Sequence, residues 1–287
     1  MVWFIFALLT ALFSSLMNIF GKKGLKKVDE YIIAFSWRFF SLPFLFLMLL
    51  VLGFPLVKNQ FWLALVIGGT LNLIATILYV KAIKYSDLSI SVPMLAFTPA
   101  FIILFSPFII NEIPTLVGFA GVFLIIVGTY VLEIKKRKNI LYPFKALFKE
   151  RGAVLMLFVA FIWAFGSIVD KIGVISSSPV YWVAIKDVYI SLFIIPIMLI
   201  KSKEHIHKIP ENLKLLIPIG LLNALMLSSQ MTAISMGIVS YVMSIKRMSI
   251  LFTVLFGYFI FKEKGIKERL LGAIIMIIGV ILITVFS

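Results

Sequence analysis

The sequence contains no cysteine and only 12 acidic residues, against 27 lysines and arginines. Without cysteine there are no disulfides, thiol nucleophiles or cysteine-ligated metal sites. The two histidines, His205 and His207, lie in one polar loop, where we interpret them as solvated residues rather than a chelating pair. No nucleotide-binding glycine loop, HExxH motif or aspartate cluster is present. We therefore predict a protein that is not an enzyme and that needs neither a cofactor nor a metal.

Charged residues are scarce as well. They make up 14% of the chain, whereas 62% of the residues are hydrophobic and the mean hydropathy is +1.15. Soluble domains are about half apolar, so this composition indicates that lipid is the solvent. A membrane-spanning helix needs about 20 mostly apolar residues. Ten such runs, numbered span 1 to span 10 in chain order, lie at 2–20, 31–52, 61–82, 88–109, 114–132, 152–170, 180–200, 214–235, 238–260 and 266–286.

The second half of the chain repeats the first at a shift of 151 residues. The stretch AFTPAFIILFSPFIINEIPTLVGFAGVFLIIVG aligns with RMSILFTVLFGYFIFKEKGIKERLLGAIIMIIG, which places Glu112 on Glu263, Gly121 on Gly272 and Gly128 on Gly279. Because each copy has five spans, an odd number, the second copy enters the bilayer from the opposite side. The fold predicted is therefore an all-α polytopic membrane protein with ten transmembrane helices in two inverted five-helix repeats, an architecture typical of secondary transporters.

Basic residues are concentrated in the connections that follow odd-numbered spans. The positive-inside rule makes those connections cytoplasmic and both termini external. The longest of them, a basic amphipathic linker at 135–151, joins the repeats 1–134 and 152–287 and fits either a helix on an anionic leaflet or a plain linker. The net charge of +15 thus predicts contact with a lipid bilayer containing anionic lipids, and no nucleic acid partner. We further expect a plasma membrane location and a monomer or homodimer.

Small and acidic residues recur in both repeats. Gly121 and Gly128 are seven residues apart and share one helix face, as do Gly272 and Gly279. Since small residues let membrane helices approach closely, we interpret spans 5 and 10 as scaffolding. Glu112 and Glu263 are interpreted as interfacial charges rather than proton carriers. Three prolines predict a bend in span 4: Pro93, Pro99 and Pro107.

Charges inside the spans are the strongest functional signal, because each costs about 2.5–3.5 kcal/mol at a helix centre. They lie about two turns into spans 2, 7 and 9 and are Arg38, Lys186, Asp187, Lys246 and Arg247. Asp187 can neutralise one cation, and the excess of positive charge favours an anionic ligand. The alternative is a structural network of salt bridges between helices.

Polar and aromatic residues accompany these charges. Four amides either line a cavity or bridge helices: Asn18, Asn72, Asn223 and Gln230. Gln230 aligns with Tyr79 at the 151-residue shift. We predict that Tyr181 and Trp182 belong to an interfacial belt, and that Trp163 lies deeper and lines the substrate path.

With these features the sequence resembles the drug/metabolite transporter superfamily, specifically proteins with two EamA domains. The resemblance covers essentially the whole chain and rests on the twice-repeated glutamate and spaced glycines, and on KAIKYSDLSISVPMLAFTPAFIILF between spans 3 and 4. It implies a central cavity built from spans 1–4 and 6–9, peripheral spans 5 and 10, and export or exchange of small metabolites. Branches that move sugar phosphates use a Lys-Arg pair in span 9, to which Lys246-Arg247 is similar.

The function predicted is a secondary transporter that moves small metabolites across the plasma membrane by alternating access, with a preference for organic or phosphorylated anions. The predicted substrate-binding residues are Lys246, Arg247, Lys186, Asp187, Arg38 and Gln230. Two alternatives are an exporter of amino acids or amphipathic drugs, and a flippase of a lipid-linked phosphate.

Overall fold

The computed structural model describes residues 2–24, 27–85, 92–133, 150–261 and 266–285, and every regular element among them is helical. Seven spans are single helices, at Val2–Gly24, Gln60–Tyr85, Leu116–Glu133, Arg151–Ile175, Pro179–Lys201, Leu213–Met236 and Ile266–Val285. Eight spans are long and apolar enough to cross a membrane, and spans 5 and 10 contain the shorter apolar helices Leu116–Leu132 and Leu270–Val285. The all-α class and the ten spans are therefore confirmed. Residues 135–149 of the linker predicted at 135–151 and Glu263 lie outside the described residues.

Spans 2, 4 and 9 are broken into two segments each, whereas the sequence predicted a bend in span 4 alone. The segments are Glu30–Phe39 with Leu42–Leu52, a 3₁₀ helix Val92–Phe97 with Thr98–Ile110, and Val239–Lys246 with Met248–Phe261. In span 4 the prolines explain the change, because Pro99 lies in the first turn of the second segment, where its missing N–H is tolerated. Arg247, at the break of span 9, aligns with Ala96 in span 4 at the 151-residue shift. Spans 4 and 9 are thus interrupted at nearly equivalent positions, whereas span 7, the equivalent of the broken span 2, is a single helix.

The packing of the spans follows the inverted repeat. Span 1 packs on spans 8 and 9, and span 6 packs in the equivalent way on spans 3 and 4. Span 2 packs on its equivalent, span 7, and span 5 packs on its equivalent, span 10. The most extensive helix contacts therefore join one repeat to the other, and spans 2 and 7 meet where the intramembrane charges lie.

Spans 5 and 10 cross at the glycines that both repeats share. A Cβ atom added to Gly121 would lie 2.7 Å from the carbonyl oxygen of Gly279, and one added to Gly128 would lie 2.7 Å from that of Gly272. Real Cβ atoms do not approach a backbone oxygen so closely. These glycines therefore allow backbone-to-backbone packing, as expected for scaffolding helices.

Gly128→Ala is expected to lower the free energy of unfolding by about 1–3 kcal/mol, the range typical of overpacking. The added methyl group would contact the backbone of span 10, which cannot move aside as a flexible side chain would. Thermal unfolding in detergent measures the effect. Gly21→Ala is the matched control, because no atom lies within 4 Å of a Cβ there. Equal melting temperatures for the two variants would contradict the close crossing.

Candidate substrate-binding site

Asp187 lies at the centre of a polar junction between spans 2, 7 and 8. Its side chain is fully buried, and its Oδ1 lies 2.8 Å from Nη1 of Arg38. Its Oδ2 accepts hydrogen bonds from the Ser41 hydroxyl at 2.7 Å and from Nδ2 of Asn223 at 3.3 Å. Ser41 occupies the break between the two segments of span 2, which lets its hydroxyl reach span 7. Asn223 also donates to the carbonyl oxygen of Trp37 at 2.8 Å, so every contact here connects different spans.

A second buried carboxylate, Asp170 on span 6, pairs with Lys186 on span 7. The Lys186 Nζ atom lies 2.5 Å from Oδ1 of Asp170, and the indole N–H of Trp182 donates to the same oxygen at 2.9 Å. Gly173 makes room for the indole, since a Cβ there would lie 2.4 Å from it. Trp182 is fully buried, so its prediction as part of an interfacial belt is wrong. The indole is fixed by Asp170 inside the protein instead of facing lipid headgroups.

Asp170 was missed because the apolar run that predicts span 6 ends at 170. The helix continues to Ile175, so both Asp170 and Lys171 lie inside it. Lys171, one residue beyond the predicted end of span 6, donates from within this helix to the carbonyl oxygens of Ile234 and Gly237 at 2.6 and 2.9 Å. The adjacent opposite charges in SIVDKIG were the signal available in the sequence.

Lys246 ends the first segment of span 9 and is held by a neutral group. Its Nζ atom donates to Oε1 of Gln230 on span 8 at 2.6 Å. In the part of the chain that the structure describes, no carboxylate oxygen lies within 4 Å of this ammonium group. Lys246 is close enough to Arg38, Lys186 and Asp170 to interact with them electrostatically. It therefore belongs to the same charged region as the two ion pairs.

Arg247 connects the two broken spans across the repeats. Its Nη2 donates to the hydroxyl oxygen of Thr98 at 2.8 Å, where the α-helical segment of span 4 begins. Ala96 is the equivalent of Arg247, and Thr98 lies two residues beyond Ala96. Arg247 therefore contacts a residue close to its own equivalent, which places the breaks of spans 4 and 9 near the pseudo-twofold axis that relates the repeats. Inward-facing backbone irregularities of this kind are tolerated in a membrane where protein or a wet cavity surrounds them.

The structure brings all six predicted site residues into one region, but their electrostatic partners differ. Arg38 and Lys186 are neutralised by Asp187 and Asp170, whereas Lys246 is hydrogen-bonded to a neutral amide beside these pairs. The region is built mainly from the second repeat. The equivalents of Asp170, Lys186, Asp187, Lys246 and Arg247 in the first repeat are Ile19, Phe35, Ser36, Leu95 and Ala96, none of which is charged. A symmetric scaffold thus carries an asymmetric charge distribution.

The remaining predicted polar and aromatic residues have different environments. Asn72, the repeat equivalent of Asn223, donates within its own helix to the carbonyl oxygen of Gly68 at 3.1 Å. Trp163 is half-buried, and its ring lies 5.6 Å from that of Tyr79, the equivalent of Gln230. The first repeat therefore contributes Tyr79 to an aromatic pair with span 6, where the second repeat contributes Gln230 to its pair with Lys246.

The sequence model of the EamA-like transporter family matches residues 1–134 and 150–285, nearly the whole chain. The chain belongs to the EamA-like transporter family. It is accordingly a membrane transporter of small molecules, and the resemblance to proteins with two EamA domains is confirmed. In this EamA-like transporter each family match contains one of the equivalent broken spans, span 4 and span 9.

Structural comparison gives the same fold. One solved crystal structure matches this EamA-like transporter with a TM-score of 0.79 and 13% sequence identity, over 99% of this chain and 97% of that chain. At this identity the likeness establishes the fold alone. No curated protein matches the sequence.

Proposed function

We propose that this EamA-like transporter moves organic or phosphorylated anions across the plasma membrane by alternating access. The observation that carries the proposal is the environment of Lys246. Its ammonium group is hydrogen-bonded to a neutral amide, while the neighbouring carboxylates, Asp170 and Asp187, are already paired with other cations.

An anionic substrate would complete the charge balance. Lys246 lies seven residues beyond the start of its helix at Val239, which is about 10 Å along the helix axis at 1.5 Å per residue. A cation at such depth is costly unless an anion or water solvates it. Arg247 adds a second positive charge beside it and offers a planar fork suited to a carboxylate or phosphate. Lys246 and Arg247 would therefore hold the anionic group, with Gln230 positioning Lys246.

The other predicted residues are assigned supporting roles. Lys186 and Asp187 are each engaged by a partner of opposite charge, so we assign them the local charge balance. Arg38 would act as a further contact, since its side chain is 13% exposed while that of its partner Asp187 is fully buried. This residual exposure leaves part of the Arg38 side chain open to a ligand.

Alternating access is supported by the inverted repeat. Transporters built in this way rock one repeat against the other around a site at their interface, and discontinuous helices line that site. Here the breaks of spans 4 and 9 meet at Arg247 and Thr98. The strong bias of basic residues to one side of the predicted topology supports insertion in the membrane with one defined orientation.

Thermal unfolding against a panel of metabolites tests the substrate class. Sugar phosphates, nucleotide sugars and carboxylates are compared with neutral amino acids and organic cations. At 100 times its dissociation constant a ligand stabilises the folded state by about 2.7 kcal/mol, so we expect anions alone to raise the melting temperature by several degrees.

Lys246→Ala should remove this shift, and Lys58→Ala, which changes an exposed lysine, should leave it intact. Stabilisation by neutral or cationic compounds would contradict the proposal and favour an exporter of amino acids or drugs. Movement of a lipid-linked phosphate in liposomes, with no response to soluble anions, would favour a flippase.

A further inference from the structure

Glu112 and Lys171 form an ion pair on the face predicted to be external. Lys171 Nζ lies 3.0 Å from Oε1 of Glu112. The second carboxylate oxygen of Glu112 accepts a hydrogen bond from the backbone N–H of Val239 at 2.7 Å. Lys171 also donates to the carbonyl oxygens of Ile234 and Gly237. The pair therefore connects the loop after span 4 with span 6 and with the tight turn between spans 8 and 9.

Each partner also stabilises a helix end whose partial charge is opposite to its own. The first N–H groups of a helix lack intrahelical acceptors and favour a carboxylate, whereas the last carbonyl groups favour a cation. Glu112 meets the start of span 9, and Lys171 meets the end of span 8. Asn111 turns the chain towards this position with a left-handed φ of 55°, and the Ser106 hydroxyl donates to the carbonyl oxygen of Glu112 at 3.1 Å.

This ion pair is more accessible than the two pairs in the site. Both side chains of this pair are partly exposed, Lys171 at 13% and Glu112 at 14%. In the site, Asp187 is 0% exposed although its partner Arg38 is 13% exposed, and Lys186 and Asp170 are 2% and 6% exposed. Breaking a fully buried pair strands a charge in an apolar interior, but water can solvate partners that it already reaches. Of these three ion pairs, Glu112–Lys171 is therefore the one suited to open and close.

A short rigid helix links this ion pair to the candidate site. The first segment of span 9, Val239–Lys246, is bound by Glu112 at its start and carries Lys246 at its end. Along the segment, the Tyr241 hydroxyl accepts a hydrogen bond from the backbone N–H of Thr115 at 3.0 Å. The break at Arg247 separates this segment from the rest of the span. A movement at the ion pair would therefore be transmitted to Lys246 without disturbing the second segment.

The opposite face cannot be closed by the same ion pair. At the 151-residue shift Lys171 aligns with Phe20, which carries no charge. The two faces of this inverted-repeat protein thus differ in the chemistry available at equivalent positions.

We propose that Glu112 and Lys171 form the gate that closes the site on the face of the 4–5, 6–7 and 8–9 connections. The pair exists only in the state closed on this face. Removing it shifts the population towards the state that is open there, because the closed state loses an interaction that the open state does not have. The proposal rests on the location of the proposed substrate site but not on the charge of the substrate.

The absence of cysteine makes the gate directly measurable. Gln230→Cys places a single thiol beside Lys246, and a membrane-impermeant maleimide is applied to right-side-out and to inside-out vesicles. On this background we expect Glu112→Gln and Lys171→Ala each to raise the labelling rate about tenfold from the gated face and to lower it from the other. The double variant should match the single ones, since either change removes the same pair. Lys58→Ala, an exposed lysine on the same face, is the control.

Locking the gate gives the complementary test. In a Glu112→Cys, Lys171→Cys variant, a short cleavable crosslinker between the thiols should stop transport, and its reduction should restore transport. Unchanged labelling, labelling that rises equally from both faces, or transport by the crosslinked protein would overturn the gate. Labelling needs no substrate, so failure of the anion panel would leave this result standing, and failure of the gate would leave anion binding standing.

Discussion

Asp187→Ala is expected to lower the free energy of unfolding by about 3–5 kcal/mol, the cost of stranding a buried charge. The substitution leaves the Arg38 guanidinium without its carboxylate and takes the acceptor from Ser41 and Asn223. Three spans meet at this side chain, so the substitution removes contacts between the two repeats as well as within the second. The yield of folded protein in detergent and its melting temperature measure the effect.

Two controls define the cause of this loss. Glu204→Ala removes an exposed carboxylate in the 7–8 connection and should leave the melting temperature unchanged. Arg38→Met combined with Asp187→Ala should be less destabilised than Asp187→Ala alone, because no unpaired charge remains. If the double variant is the less stable one, the ion pair is not the source of the stability.

Arg247→Ala is expected to abolish transport while leaving expression intact. Truncating a charged, hydrogen-bonded contact to a ligand costs about 2–5 kcal/mol, which corresponds to a loss of roughly 30-fold or more in affinity. Arg247→Lys retains the charge but not the planar fork and should give an intermediate rate. Uptake into liposomes of an anion identified in the stability panel measures the effect.

Thr98→Val separates a substrate role of Arg247 from a bracing role. It removes the hydroxyl that accepts the hydrogen bond from Arg247 but keeps the cation and the shape of the neighbouring residue. If Arg247 acts on the substrate, Thr98→Val should retain most of the transport. Equal loss in Thr98→Val and Arg247→Ala would mean that the arginine only holds spans 4 and 9 together.

The parts of the fold that depend on local composition were predictable from the sequence. Long apolar runs identify the spans, and the recurrence of Gly121 and Gly128 at Gly272 and Gly279 identifies both the repeat and the crossing of spans 5 and 10. The breaks within the spans were harder to predict from the sequence. Span 9 is interrupted at Arg247 with neither glycine nor proline nearby, so no residue with unusual backbone preferences marks the position.

The partners inside the site depend on packing and could not be predicted from local patterns. Asp187 was expected to neutralise one cation, and the sequence did not show which one. Successive residues point to different faces of a helix, so its neighbour Lys186 is not its partner. Lys186 instead reaches Asp170, 16 residues away on span 6, and Arg38 reaches Asp187, 149 residues away. Only the packing of spans 2 and 6 on span 7 brings these residues together.

The contacts between repeats have a consequence for biosynthesis. Arg38 leaves the ribosome 149 residues before the Asp187 that neutralises it, an interval of roughly 7–30 s at 5–20 residues per second. During that time the first five spans are in the bilayer, or at the insertion machinery, with a cation whose partner has not been translated. The first repeat is therefore a nascent-chain intermediate rather than a finished folding unit, and its polar groups are satisfied only when span 7 arrives.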